Sequence, residues 1–327
     1  MIPNQWYAIL ESSEVKPGKV VGITRMGERL ALWRDTRGQV ACLGDMCVHR
    51  GAALSHGELC GDHLACPFHG LQYHATGRVR VIPANGKETP VPRGFATQAY
   101  AVREAHGFVW LWWGEARQDL PSPPWFTDMD DDDLTYAPFR QRWPVHYSRV
   151  IENQLDVMHL PFVHRHTIGR DSHTLVNGPL VKQSDSGMTI YVYNQADEGL
   201  RPLKPEELPE PSGEFRLEFR FPNIWQNHLS EALRIIIAFA PVDEENTLLY
   251  GRYYQKMVRA PLARHLANWL GAVGSWYIAN EDRRVVRTQL PKKTDLRMGE
   301  RLIQGDLPIV IYRRRRKELI ESVAARP

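Results

Sequence analysis

The sequence predicts an α+β protein in two parts: an all-β front half, then a rear half in which a long helix packs on an antiparallel sheet. Three observations predict this. Gly and Pro interrupt residues 1–114 at roughly ten-residue intervals, as turns do between short strands. The run Phe215-Arg216-Leu217-Glu218-Phe219-Arg220-Phe221 alternates apolar and charged residues strictly, which fits an antiparallel strand with one face buried. Leu262, Leu266, Trp269, Leu270, Val273 and Tyr277 recur at helical spacing, so they define an apolar helix stripe expected to lie on the sheet.

The elements follow in order. Residues 29–34 (Arg-Leu-Ala-Leu-Trp-Arg) read as a strand, and 107–114 as an apolar strand closed by Gly114. Pro121, Pro123 and Pro124, followed by Asp128 and Asp130 to Asp133, combine stiff proline with self-repelling acid. That composition predicts a solvated surface linker over 116–140, between domains at 1–115 and 141–327. Residues 142–164 open as a strand and then carry Asp, His and Met at helix-like intervals. Residues 233–240 and 247–258 continue the sheet, and the long helix extends to about Arg287. Arg313 to Arg316 with Lys317 read as a solvated helix face, or else as an interaction patch. There is no internal repeat and no Gly-rich nucleotide fingerprint.

Composition narrows the function. The 327 residues suffice for two domains with real cores. With 41 basic against 38 acidic residues, the net charge of +3 is too small to argue for nucleic acid or an anionic membrane. No apolar run reaches membrane-spanning length, and the N-terminal segment has neither the basic nor the apolar region of an export signal, so a cytoplasmic protein is expected. Four cysteines make no disulfide scaffold, and in a reducing compartment cysteines near histidines more often bind metal.

Two of them keep such company. The chain reads Cys47-Val48-His49-Arg50-Gly51 and then, after residues 52–65, Cys66-Pro67-Phe68-His69-Gly70. Each short loop carries one thiolate and one imidazole. The set could be a tetrahedral zinc site, or a centre in which two Cys hold one iron and two His the other. Zinc fingers usually group Cys with Cys and His with His, whereas here each loop supplies one of each. Gly51 and Gly70 follow the loops, where backbone passes close to a bulky cluster and donates N–H bonds to sulfur. This stretch resembles a Rieske iron–sulfur domain, down to Pro67-Phe68-His69-Gly70 and the following Leu71-Gln72-Tyr73. Ala52 and Phe68 stand where respiratory Rieske proteins carry an extra disulfide, so the resemblance is to the oxygenase type. Cys42 and Cys60 are read as structural thiols.

A second constellation lies in Asn153, Asp156, His159 and His164. A three-residue step puts Asp156 and His159 on one side of a helix. Pro161 breaks or tightens the next turn and can swing His164 back towards His159. Two imidazoles beside a carboxylate suit a first-row metal with positions left open for oxygen. The third ligand is sought in the long helix. Around Asp282, the residues three and four away are Ile278, Ala279, Val285 and Val286, so this acid needs a buried partner; Glu281 is the alternative.

The pattern N-x-x-D-x-x-H-x-x-x-x-H resembles the mononuclear-iron motif of Rieske non-haem iron oxygenases. Asn4-Gln5-Trp6-Tyr7 resembles the family's opening, and Glu281-Asp282 followed by Gln289 its carboxylate context. The resemblance covers nearly the whole chain. It implies a helix-grip catalytic domain of the START/Bet v 1 type, with a 2Fe-2S cluster on Cys47, His49, Cys66 and His69. Mononuclear Fe²⁺ would sit on His159, His164 and Asp282. Asp156 would bridge to a Rieske histidine of a neighbouring subunit, with Asn153 behind it. His166 and His173 match no ligand position. The compact size implies a homotrimer that hydroxylates, or O- or N-demethylates, a small aromatic substrate with O₂. Alternatives are ring cis-dihydroxylation and a Rieske electron carrier with a non-catalytic binding domain. Electrons would come from NAD(P)H through a separate flavin or iron–sulfur reductase or a ferredoxin, since no nucleotide motif is present. The strand over 221–229, with Pro222, Trp225, Asn227 and His228, is the expected source of polar substrate contacts.

Overall fold

The computed structural model describes residues 1–171, 173–213 and 215–324. The chain divides into two compact units, Asn4–Pro123 and Pro124 onward, the latter also holding Met1–Pro3.

The first unit is all-β. β1 (Gln5–Glu11), β10 (Val102–Ala105) and β11 (Phe108–Trp113) form one antiparallel sheet in the order β1-β11-β10. β2 (Val20–Arg25), β3 (Glu28–Arg34), β4 (Val40–Gly44) and β9 (Ala99–Tyr100) form the second. Short strands β5 (Glu58–Cys60), β6 (His63–Ala65), β7 (Gln72–Tyr73) and β8 (Val79–Val81) form the third. The strands expected over 29–34 and 107–114 are β3 and β11. Trp33, Leu43, Leu54, Leu64, Leu71 and Tyr73 make a core that includes Cys47 and Cys66.

The second unit is a seven-stranded antiparallel sheet with helices. Its strands are β12 (Thr135–Trp143), β13 (Leu175–Ser184), β14 (Gly187–Gln195), β15 (Arg216–Arg220), β16 (Ile224–Ser230), β17 (Leu233–Pro241) and β18 (Thr247–Gln255), in the order β12-β18-β17-β16-β15-β14-β13. The helices are α1 (Tyr147–Leu155), the single turn α2 (Leu160–Val163), α3 (Pro261–Val286) and α4 (Leu307–Ala324). Helix α3 packs on β12 and β18. The α+β expectation holds. Among the described residues no helix is long and apolar enough to cross a membrane.

Four expectations change in detail. The stretch expected as a linker splits between the units, and Thr135–Trp143 forms a full edge strand on β18. Its acids are engaged: Asp128 accepts from Arg216 at 2.9 Å and from Gln226 at 2.9 Å, and Asp131 pairs with Lys256 at 2.8 Å. The basic run is not wholly solvated either. Arg313 and Arg316 are 3% and 6% exposed, because their i, i+3 spacing turns both inward. Arg313 pairs with Glu152 on α1 at 2.7 Å and with Glu300 at 2.7 Å, and Arg316 donates to the Thr294 carbonyl at 2.7 Å. The strand expected from 221 begins at Ile224, after a turn.

The fourth change concerns α3. Its apolar stripe does not lie on the sheet: Leu262, Leu266, Trp269, Leu270, Val273 and Tyr277 are all exposed. The buried face carries Asn268, Ala272, Ser275, Ala279, Asp282 and Val286. A Cβ on Gly271 would come within 2.2 Å of the Tyr253 ring, so the helix approaches the sheet where only glycine fits.

Candidate metal centres

In the first unit, two loops fold alike. Cys47 N–H donates to the Ala52 carbonyl at 2.8 Å and Gly51 N–H to the Cys47 carbonyl at 2.8 Å. In the second loop Cys66 N–H donates to Leu71 O at 2.9 Å and Gly70 N–H to Cys66 O at 3.0 Å. Gly51 and Gly70 close these turns at φ +73° and +70°, a region favouring glycine. Both thiols are buried at 3% exposure, while His49 and His69 are exposed with ring centroids 4.7 Å apart. The backbone N–H groups of Phe68 and His69 donate to Cys66 Sγ. Tyr73 Oη donates to Cys47 Sγ at 3.1 Å and accepts from Val48 N–H at 2.9 Å. Burial and the Cys47 contact push the Tyr73 phenol up, so it stays a donor.

This arrangement bears on the choice between zinc and a two-iron centre. Two ligands of one zinc, each at most about 2.3 Å from it, lie no more than about 4.6 Å apart. Among the described residues only His159, His164 and Asp282 bring three candidate ligand atoms within 4.8 Å of one another. The Cys47, His49, Cys66 and His69 set is spread too widely for a single ion, and a sulfur floor under a histidine rim fits a larger cluster. Cys42 is buried in β4, and burial pushes its thiol up, as befits an unreactive structural residue.

In the second unit the site grows from the end of α1. Asp156 and His159 do not share one helix. Asp156 leaves α1 with extended backbone, and its Oδ1 accepts from Met158 N–H at 2.6 Å and His159 N–H at 3.2 Å. After this turn α2 begins with His159 at its N-cap, and Pro161 occupies the first turn and costs no backbone bond. One turn later His164 N–H reaches Leu160 O at 3.0 Å, and the two imidazole centroids stand 5.3 Å apart, so the return of His164 towards His159 is real.

Asp282 approaches both rings from α3. Its Oδ1 lies 3.3 Å from His159 Nε2 and 3.0 Å from His164 Nε2. These contacts lack hydrogen-bond geometry at Oδ1, as expected if the three atoms converge on a common point rather than on each other. A carboxylate stands at the far nitrogen of each ring. His164 Nδ1 donates to Glu281 Oε2 at 2.9 Å, and Thr167 Oγ1 donates to the same oxygen at 2.7 Å. Asp156 Oδ1 lies 3.6 Å from His159 Nδ1. Glu281, considered as a ligand from the sequence, is thus behind His164, fixing the tautomer that leaves Nε2 free. Burial alone would lower His159, but Asp156 and Asp282 outweigh it and hold the ring up at about 10. Burial would raise Asp282, but the two histidines bring it down to about 2. A cation bound between these groups would compete with protons for the same nitrogens.

A cavity of about 500 Å³ opens beside the histidines, lined from one sheet face by Phe139, Val192, Asn194, Leu217, Trp225, Asn227, Ile237 and Tyr253 and from α3 by Gly271, Gly274, Ser275 and Ala279. Trp225 and Asn227 line it. His228 does not: strand alternation sends it to the opposite face, 3.5 Å from Asp128 and from Glu231. Asn153 is outside the lining, one turn back on α1, with a buried Nδ2 that has no protein partner among the described residues. His166 and His173 are exposed. Asn194, Gln154 and the positioning role of Glu281 were not anticipated; period-two alternation in 187–195 was the available signal for Asn194.

Residues 5–101 match the Rieske 2Fe-2S domain family, and residues 143–322, over half the chain, match the vanillate O-demethylase oxygenase C-terminal domain. Among curated proteins, the toluene-4-sulfonate monooxygenase system iron-sulfur subunit TsaM1 of Comamonas testosteroni is 30% identical over 57% of this chain and 53% of its own. The oxygenase component of chloroacetanilide N-alkylformylase from Rhizorhabdus wittichii is 34% identical over 50% of this chain and 47% of its own. The matched stretch covers 25% of chlorophyllide a oxygenase of Chlamydomonas reinhardtii, at 32% identity over 51% of this chain. The chain therefore spans about half or less of these relatives. Two solved structures share the fold: dicamba monooxygenase (TM-score 0.77, 19% identity, 100% of this chain and 99% of that one) and NdmA of Pseudomonas putida CBB5 (TM-score 0.78, 20% identity, 98% and 91%). With a Rieske domain and an oxygenase C-terminal domain matched in tandem, the chain belongs to the Rieske non-haem iron oxygenases.

Proposed function

We propose that the chain is a terminal oxygenase that inserts one atom of O₂ into a C–H bond of a small, largely apolar substrate, giving an alcohol or releasing an O- or N-methyl group as formaldehyde. The observation that carries this is the pair of Nε2 atoms facing the buried Asp282 Oδ1 at the mouth of the cavity. His159, His164 and Asp282 would hold Fe²⁺, and Cys47, His49, Cys66 and His69 the 2Fe-2S cluster. When bound, the iron supplies O₂ activation, and two electrons and two protons balance the second oxygen as water.

The chain's own residues do the rest. Glu281 orients the His164 imidazole through its hydrogen bond, and Asp156 faces His159 Nδ1 at 3.6 Å. Small residues on α3 keep room beside them, and apolar strand residues exclude water. Asp156, with its side chain 26% exposed, would accept a hydrogen bond from a Rieske histidine of the neighbouring subunit in a homotrimer. The exposed stripe of α3 supports self-association, since large apolar patches are seldom left in water. A separate reductase or ferredoxin in the cytoplasm would supply electrons from NAD(P)H.

The test is anaerobic reconstitution with iron analysis, followed by turnover with a surrogate reductase, methoxy- and methylarenes and ¹⁸O₂. The reading expects the cluster's two irons plus one more per chain, labelled alcohol or formaldehyde, and loss of turnover but not of metal in Asp156→Asn. An iron count that stops at the cluster would leave only an electron carrier. Normal turnover in Asp156→Asn would remove the bridging role.

A further inference from the structure

The cavity beside the histidines has a neighbour. A second compartment of about 240 Å³ lies against it. Leu160, Ile168, Val192, Asn194 and Phe215 line both, so a single layer of side chains separates the two. The outer compartment adds Asp171 and His173, both exposed. Polarity therefore rises outward, from a mostly apolar inner wall to a carboxylate and an imidazole in contact with water.

Two side chains in the shared layer stand out. Ile168 is 54% exposed and Phe215 39%, whereas Leu160, Val192 and Asn194 are half-buried. Ile168 and Phe215 thus border both compartments and still present apolar surface to water, surface that a ligand passing between them would cover.

Both sides of this neck are held. Before Ile168, Thr167 N–H donates to the His164 carbonyl at 2.8 Å, and Thr167 Oγ1 donates to Glu281 Oε2 at 2.7 Å. After it, Gly169 N–H donates to the same His164 carbonyl at 3.0 Å, and a Cβ on Gly169 would run into the Leu160 carbonyl. The backbone that carries Ile168 is therefore pinned to the histidine site on either side. Phe215 comes from a separate segment, next to Arg216 at the start of β15, whose guanidinium pairs with Asp128 at 2.9 Å and with Glu218 at 2.7 Å.

We propose that the substrate spans both compartments: an apolar ring in the inner cavity and a linear chain running out between Ile168 and Phe215, which make these two residues determinants of substrate length. The inference deepens the oxygenase reading and rests on it for the use of the cavity. It asks for an elongated molecule rather than a single compact ring.

Calorimetric titration of the iron-loaded protein under argon with 4-methylanisole and 4-hexylanisole tests it. Each methylene taken out of water is worth about fourfold in affinity. A hexyl chain that buries three methylenes in the neck and beyond should bind about 50-fold tighter than the methyl compound. Ile168→Trp narrows the neck and should cut that preference by at least about tenfold. Phe215→Trp, on a segment away from the histidines, should do the same. Leu200→Trp, at an exposed position that lines neither compartment, should keep the preference. No binding of 4-hexylanisole, no preference for it in the parent, or a preference unchanged in either neck variant would overturn the proposal. Formaldehyde released from both anisoles under turnover, without any gain from the longer chain, would refute the two-compartment substrate while upholding the oxygenase. Neck-dependent binding of 4-hexylanisole without oxygen consumption under reducing turnover conditions would uphold the two compartments and refute the oxygenase.

Discussion

Glu281 offers the sharpest test of how the metal site is built. The sequence places two acids side by side on α3, and the structure gives them different duties. Asp282 Oδ1 faces both Nε2 atoms, whereas Glu281 Oε2 accepts from His164 Nδ1 at 2.9 Å and from Thr167 Oγ1 at 2.7 Å. The His164 side chain is 1% exposed and that of Glu281 13%, so solvent cannot easily take over the bond. A hydrogen bond to a charged group under such cover is worth about 1.5–3 kcal/mol, or about 10–150-fold in an equilibrium constant. Loss of a partner that orients a metal-binding histidine costs about 10–100-fold in affinity. Glu281→Ala should therefore weaken Fe²⁺ binding by about 10–100-fold, and Glu281→Gln, which keeps an acceptor without charge, by less. Anaerobic competition against a chelator measures it, with the visible spectrum of the Rieske cluster as an internal control because that cluster lies in the other unit. If Glu281 were itself the ligand, Asp282→Ala would keep its iron and Glu281→Ala would lose it altogether. That outcome, or an affinity within twofold of the parent in Glu281→Ala, would refute the assignment.

Three further outcomes are expected. Arg313→Met leaves the buried Glu152, on the helix that leads to Asp156, with only Arg149 at 3.3 Å, which should destabilise the second unit by about 1.5–3 kcal/mol; denaturant unfolding checks it, and an unchanged midpoint would refute it. Gly271→Ala puts a methyl 2.2 Å from the Tyr253 ring and should cost about 1–3 kcal/mol of stability, read by denaturant unfolding; an unchanged midpoint would show that α3 simply moves outward. Tyr73→Phe removes the 3.1 Å bond to Cys47 Sγ, which favours the more negative, reduced cluster. At about 1–1.5 kcal/mol the reduction potential should fall by about 40–65 mV, read by spectroelectrochemistry.

The chemistry was more legible in the sequence than its supports. Cys47, His49, Cys66 and His69 announce themselves because each pair sits in one loop with its own glycine, and local spacing carries the geometry. His159 and His164 were legible for the same reason, since Pro161 fixes the turn between them. Asp282 was singled out by its apolar neighbours, and the structure brings it within 3.3 Å of both imidazoles. Glu281 was seen but not understood, because its role depends on Thr167 and His164, which lie more than a hundred positions away in sequence. His228 was misplaced by one step of a two-residue period. A strand begun at Ile224 after the turn puts Trp225 and Asn227 on the cavity face and His228 behind it. Arg313 and Arg316 were read as solvated because a basic run usually is, and nothing local marks Glu152 or Glu300 as their partners.

Helix α3 shows why the rest was hidden. Its residues form two parallel stripes at helical spacing, one large and apolar, one small and polar, and periodicity reports both without saying which meets the sheet. In a filled core the large stripe goes inward, since burying it stabilises the fold by about 25 cal/mol per Å². Here the inward side must leave about 500 Å³ empty and present a carboxylate to two histidines. Leucine or tryptophan at 271, 275 or 279 would occupy the space that a substrate needs. The small residues therefore face the sheet, and Leu266, Trp269, Leu270, Val273 and Tyr277 are displaced to the outside. The same choice that makes the cavity leaves an apolar surface on the outer side of α3.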